Sequence, residues 1–171
     1  MKVTLFDRFI EEEINAEISQ VYDWLLLPSE EENWNFTWQQ LYKGHQESLF
    51  FQINLVSSSD QIEGLIMLSL QMNEMLFMHN IEIAPHNVGS KGRYRRVAGC
   101  LLAFSCSLSF NLGKGDYRGY LSFKSKTELI ELYMKKYGAR IAVGQNLFFN
   151  PEAGKELIKT YLNQSVNPNI K

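Results

Sequence analysis

The sequence predicts a mixed α/β (α+β) domain, a mixed central sheet of about seven strands with helices on both faces. Three observations carry that reading. Residues 48–84 hold three consecutive strand-like runs separated by short turns, an antiparallel meander. Residues 97–110 are apolar around nearly the whole helical circumference, so that helix is buried on a sheet rather than laid on a surface. A further strand follows this helix, which makes a crossover unit with parallel flanking strands.

At 171 residues the chain is read as one domain. It divides into an N-terminal strand and helix pair (1–47), a core (48–150) and a C-terminal helix with tail (151–171). Residues 3–6 predict a first strand. Phe9, Ile10, Ile14, Ile18, Val21, Tyr22 and Leu25 recur at three and four, which predicts an amphipathic helix with Glu11, Glu12, Glu13 and Glu17 outward. Pro28 stops it, and Ser29 starts a second helical stretch that runs through Trp34, Trp38, Leu41 and Tyr42 to Gly44.

The meander follows as 48–56, 62–70 and 75–84, and Pro85 closes it. After the buried helix, Gly113 and Gly115 lead to a strand over 117–123. A helix over 127–137 is capped by Gly138, and two short strands, 140–143 and 145–149, surround Gly144. Pro151 opens a closing helix to residue 162, and the tail SVNPNIK is expected to fray. The order is β-α-α-β-β-β-α-β-α-β-β-α.

Composition bounds the chemistry. The net charge is −2 and the pI about 5.9, without the basic excess of a protein that tracks nucleic acid. The balance is uneven, since residues 1–47 carry −7 and residues 91–96 alone carry +4. That cluster points to an anionic ligand at one place. The two cysteines, Cys100 and Cys106, lie six apart on one helix and point in different directions. No cysteine or histidine spacing points to a metal. Helix-borne thiols suit a reducing compartment. No apolar run has the length of a membrane span, and acids interrupt the N-terminus before a leader could form. A cytoplasmic protein is expected.

Residues 81–102, IEIAPHNVGSKGRYRRVAGCLL, are the most informative stretch. A strand ends, a loop rich in glycine and cations follows, and a helix begins. Backbone N–H groups at such a junction bind phosphate; a solvated basic loop before an ordinary helix has the same composition.

Here the chain resembles the GCN5-related N-acetyltransferases (the GNAT superfamily). Ile81-Glu82-Ile83-Ala84-Pro85 matches the strand end of that family. Arg93, Arg96, Ala98, Leu101 and Leu102 fall at the spacings of its phosphate loop, with Arg96 in the position of a glycine. Leu132-Tyr133 followed by Gly138-Ala139 resembles its later helix, one residue longer before the glycine. Tyr94 replaces another common glycine, Ala139 a typical phenylalanine, and Lys126 an asparagine that touches the coenzyme.

The resemblance implies acetyl-CoA as acyl donor, an amine acceptor, direct attack without an acyl-enzyme, and no metal. It places the diphosphate on the backbone N–H groups of about residues 88–98, Gly92, Arg96, Val97 and Ala98 among them, with the Arg93 and Arg95 guanidiniums forking onto phosphate oxygens, Lys91 toward the ribose phosphate and Lys126 nearby. Arg96 either narrows that approach or adds a cation to it. The pantetheine arm runs along the backbone of Ile81 and Ile83. Tyr133 matches the tyrosine that protonates the leaving thiolate. His79 and Glu82 are alternative bases; alternation puts His79 with Ile81 and Ile83 on one face and Glu82 with Asn80 on the other. His45 and His86 lie in loops with no partner visible in the sequence. The segment between the two N-terminal helices is implied as acceptor wall, and core packing explains its aromatics equally. The last strand pair implies a possible homodimer. The rival reading is a non-catalytic CoA-binding or protein-interaction module of the same fold; transfer to a hydroxyl or a protein side chain is another.

Overall fold

The computed structural model describes residues 1–162. The tail SVNPNIK, read above as frayed, lies outside the described residues. The centre is a nine-stranded sheet in the order β6-β1-β2-β3-β4-β5-β7-β9-β8. In chain order the strands are β1 (Lys2–Asp7), β2 (Glu12–Gln20), β3 (Leu49–Leu55), β4 (Ser58–Gln71), β5 (Met75–Ile83), β6 (Tyr94–Arg95), β7 (Leu121–Lys124), β8 (Arg140–Val143) and β9 (Asn146–Phe149). The helices are α1 (Trp38–Gly44), α2 (Val97–Leu112), α3 (Ile130–Tyr137) and α4 (Pro151–Tyr161).

The N-terminal region corrects the sequence reading. The amphipathic helix expected over residues 9–25 is instead the strand β2, paired antiparallel with β1 and β3. Ile14 and Ile18 satisfy a helical spacing, but with Ala16 between them they also satisfy a period of two. Ala16 and Ile18 are buried while Asn15, Glu17 and Ser19 are exposed, which is strand alternation. The turn from β1 contains no glycine. Glu11 takes a positive φ of 56° to close it. The end of the first expected helix is a single 3₁₀ turn at Trp24–Leu26, and the second shrinks to a 3₁₀ turn at Glu30–Glu32 and then α1. Two more strands than expected therefore enter the sheet, β2 and the two-residue β6.

From residue 48 onward the predicted order holds apart from β6. β3, β4 and β5 form the antiparallel meander. β5 pairs parallel with β7 across α2, as the crossover requires. β7 is shorter than expected because Gly115–Tyr117 form a 3₁₀ turn. Gly138 ends α3 with φ 79°, its N–H bonded to the Met134 carbonyl at 3.1 Å.

Two cores lie on opposite faces of the sheet. α2, α3 and α4 cover Leu5, Ile18, Ile53, Ile66, Leu68, Phe123 and Phe149. α1 and its approach cover Val21, Phe50, Leu65 and Met67 with Leu27 and Trp38. Trp38 is fully buried, so it is core. Trp24 is half-buried, with Lys43 Nζ over its ring at 3.4 Å. Gly64 lets α2 approach β4, since a Cβ there would lie 2.7 Å from Val97 Cγ1.

Candidate active site

β5 and β7 separate as they run. Their pairing covers only Leu76↔Leu121, Phe77↔Ser122 and Met78↔Phe123. β5 then continues to Ile83 while β7 stops at Lys124. The backbone edge of residues 80–83 that faces away from β4 thus has no strand partner among the described residues. At the divergence is a cavity of about 190 Å³, lined among others by His79, Asn80, Glu82, Ser125, Lys126 and Tyr133. An extended amide-bearing chain laid on that edge would find unpaired N–H and C=O groups.

A β-bulge sets which side chains enter this cavity. Met67 pairs with Asn80 and Leu68 with Met78, so His79 is the extra residue. The alternation assumed from sequence breaks there. Ile81 and Ile83 pack with the α2-side core. His79 shares the α1 side with Phe77, whose ring is 4.9 Å away, and its Nε2 is 2.7 Å from Ser69 Oγ. The expectation that His79 shares a face with Ile81 and Ile83 is therefore corrected. His79 is exposed. Partial desolvation, then the neighbouring His45, lowers its pKa below the ordinary 6.5, so the ring is neutral at neutral pH.

Glu82 is buried, 9% exposed, and its carboxylate is engaged on both oxygens. Oε1 accepts from the Asn35 backbone N–H at 2.6 Å and from Asn35 Nδ2 at 2.8 Å. Oε2 accepts from the Phe36 N–H at 3.2 Å and from Trp38 Nε1 at 2.9 Å. These bonds fix the approach to α1 against β5. They make Glu82 the anchor of the wall formed by Asn35 and Phe36.

Tyr133 reaches the cavity from α3. Its ring packs 4.8 Å from Phe123 and 6.1 Å from Tyr137. Burial, and then Tyr137, push its pKa up to about 12. The phenol stays protonated at physiological pH and can donate. Lys126 is exposed at the cavity wall, one residue before the 3₁₀ turn Thr127–Leu129 that leads into α3.

The loop from β5 to α2 is braced from within. Arg93 N–H donates to the His86 carbonyl at 3.0 Å, and Tyr94 N–H to Asn87 Oδ1 at 2.9 Å. Arg8 donates to the carbonyls of Ser90 and Gly92. The Arg93 guanidinium faces Asp7, with Nη2 3.1 Å from Oδ2. Burial alone would raise the Asp7 pKa; the Phe9 N–H and Arg93 outweigh it and lower it. Arg93 is thus charge-balanced by the protein itself. Lys91 and Arg95 are exposed, and Gly92 is buried within the loop. Arg96 is the N-cap of α2, in the left-handed region at φ 78°. This is the conformation for which a glycine is favoured, and an L side chain costs about 1–2 kcal/mol there. The first intrahelical bond runs from Cys100 N–H to the Arg96 carbonyl at 2.8 Å, so the N–H groups of Val97 and Ala98 precede the ladder.

One cluster escaped the sequence reading. His86, expected to lack a partner, has Nε2 2.6 Å from Oε2 of the fully buried Glu63, which also accepts from Asn87 Nδ2 at 2.7 Å. A charged residue inside the apolar run of β4 was the available signal. Cys100 and Cys106 are buried, and desolvation raises their pKa values to about 11 and about 12. Neither is a thiolate nucleophile. No cluster of three His, Cys, Asp or Glu among the described residues is arranged to hold a metal. No helix among them is long and apolar enough to cross a membrane.

No protein-family model matches the sequence, and no curated protein sequence does. Solved structures do match. AtaTR bound with acetyl-CoA superposes with a TM-score of 0.59 at 16% identity, covering 83% of this chain and 97% of that one. A Desulfovibrio desulfuricans protein assigned to the GNAT family of acetyltransferases gives 0.57 at 14% identity, over 80% and 99%. KacTA, solved as a complex with DNA, gives 0.60 at 13%, over 85% and 99%. The chain has the fold of the GCN5-related N-acetyltransferases.

Proposed function

We propose that this protein is an acyl-CoA-dependent N-acetyltransferase that moves an acetyl group from acetyl-CoA to an amine by direct attack. The observation that carries the reading is the separation of β5 from β7 beyond Met78, with Tyr133 and His79 at its margins. The unpaired edge of β5 suits the amide groups of a pantetheine arm, and its N–H groups can polarise a thioester carbonyl.

Each residue then has a role set by its surroundings. His79, neutral and exposed, takes the proton of the attacking ammonium, with Ser69 orienting its ring. Tyr133, held protonated by burial, gives a proton to the departing thiolate. Glu82 holds the acceptor wall in place through Asn35, Phe36 and Trp38. At the other end of the coenzyme, the N–H groups of Val97 and Ala98 and the exposed Lys91 and Arg95 supply anion contacts, while Arg93 keeps Asp7 as its partner. Other GNAT-fold proteins have been solved with such ligands: AtaT as a complex with acetyl-methionyl-tRNAfMet, and AtaTR with acetyl-CoA. Its acceptor is an amine, and the cytoplasm is its proposed location.

The test is thiol release from acetyl-CoA across a panel of amines, with the acetylated product confirmed by mass. Turnover that disappears in Tyr133→Phe supports the enzyme. Acetyl-CoA binding without turnover of any amine would transfer the reading to a CoA-binding module.

A further inference from the structure

The end of α4 lies on the first turn of α2. The two helices pack along their length, with Gly154 against Cys106, where an added Cβ would meet Cys106 Cβ at 3.3 Å. At the other end, the Tyr161 ring occupies the space a side chain at Gly99 would need; a Cβ there would lie 2.1 Å from Tyr161 Cε1. Arg96 clasps the same turn. Its Nη2 donates to the carbonyls of Thr160 at 3.1 Å and Tyr161 at 3.4 Å, and its guanidinium is 5.6 Å from the Tyr161 ring. Its Nη1 is 3.8 Å from Glu13. Tyr161 also touches α3 through Tyr137, at 6.3 Å between rings.

The electrostatics of this contact are specific. The carbonyl end of α4 carries partial negative charge and meets the partially positive N-terminus of α2. The two ends stabilise each other. The carbonyl oxygens of Thr160 and Tyr161 lie beside the start of α2, and the guanidinium of the N-cap residue Arg96 is engaged with them.

We propose that the last turn of α4 is a latch over the diphosphate cradle, and that Arg96 is a coenzyme-binding residue that changes partners. Without coenzyme its guanidinium holds the Thr160 and Tyr161 carbonyls. With coenzyme it turns to the diphosphate, Tyr161 leaves the notch above Gly99, and the notch becomes part of the groove. The inference rests on the acyl-CoA reading above. A diphosphate offers the guanidinium two full negative charges in a bidentate geometry, whereas the Thr160 and Tyr161 carbonyls are neutral acceptors and the Glu13 carboxylate stands 3.8 Å away; that difference drives the exchange. The left-handed backbone of Arg96 then has a reason. A glycine there would avoid the strain but could hold neither partner.

The test measures coenzyme A binding by equilibrium dialysis and amide hydrogen exchange in the full chain. In the wild type, saturating coenzyme A is expected to speed exchange at residues 157–162; this readout needs no variant. Tyr161→Ala, which empties the notch, is expected to lower the Kd about tenfold, since a closed latch reduces the competent fraction. Arg96→Ala removes latch and anion partner together and is expected not to share the gain. A wild type that fails to bind beside a Tyr161→Ala that binds supports the latch in its tightest form. Coenzyme A binding with unchanged exchange at 157–162 and an unchanged Kd in Tyr161→Ala overturns the latch alone. Failure of both folded proteins to bind overturns the acyl-CoA reading with it.

Discussion

Arg93 Nη2 lies 3.1 Å from Asp7 Oδ2, which ties the last residue of β1 to the loop that precedes α2. Asp7 is 2% exposed and also accepts from the Phe9 N–H at 2.9 Å. The pair shapes the β1–β2 turn and the loop from β5 to α2 together. Asp7→Ala is expected to lower stability by about 1–2 kcal/mol, a modest figure because Arg93 is partly solvated. Urea unfolding checks it.

The same carboxylate gives a pH signature. Its native pKa lies below the ordinary 3.8, so the unfolded chain binds its proton first as pH falls. The stabilisation is complete above 3.8 and is lost as pH drops through the lower native value. Unfolding curves of wild type and Asp7→Asn should converge below that range. Curves that stay parallel down to the acid limit would remove the pair from the stability account.

Glu82 separates an anchor from a base. Glu82→Gln turns two N–H donors toward an amide NH₂ where they now face an oxygen. An anchor predicts a loss of about 2–4 kcal/mol, since charged hydrogen bonds contribute about 1.5–3 kcal/mol each. A base predicts near-normal stability with collapsed turnover. Denaturation and thiol release on one sample distinguish the two.

His79 predicts the acid limb of the rate profile. Its lowered pKa keeps the ring neutral through neutrality, so turnover should fall only as pH goes below about 6.5. His79→Gln should flatten that limb. Tyr133→Phe should cut kcat by about 10²-fold with little change in the KM for acetyl-CoA, as for loss of a general acid.

The cysteines predict an absence of reactivity. With pKa values of about 11 and about 12, both thiols should resist alkylation at pH 8 in the native state and react on unfolding. Rapid native labelling would place either one outside the core.

Much of the fold was legible because residues 48–162 follow simple rules. The meander is three apolar runs parted by short turns, α2 is apolar on all sides, and Gly138 and Pro151 stand at helix ends. The N-terminus was not, because Ile14 and Ile18 fit two periods and the β1–β2 turn uses Glu11 rather than a turn residue. At the site, residue types were readable and their orientation was not. A single extra residue at His79 reverses the alternation that assigned His79 and Glu82 to opposite faces. The partners of Arg93, Arg96 and His86 come from elements distant in sequence, β1, α4 and β4, which no local pattern records.

The most direct test is a calorimetric titration of acetyl-CoA into the folded wild type and Tyr161→Ala. The gap beyond Met78 and the start of α2 predict saturable heat at one site per chain, tighter in the variant. Two well-folded proteins that give no heat would contradict the assignment while leaving the nine-stranded architecture in place.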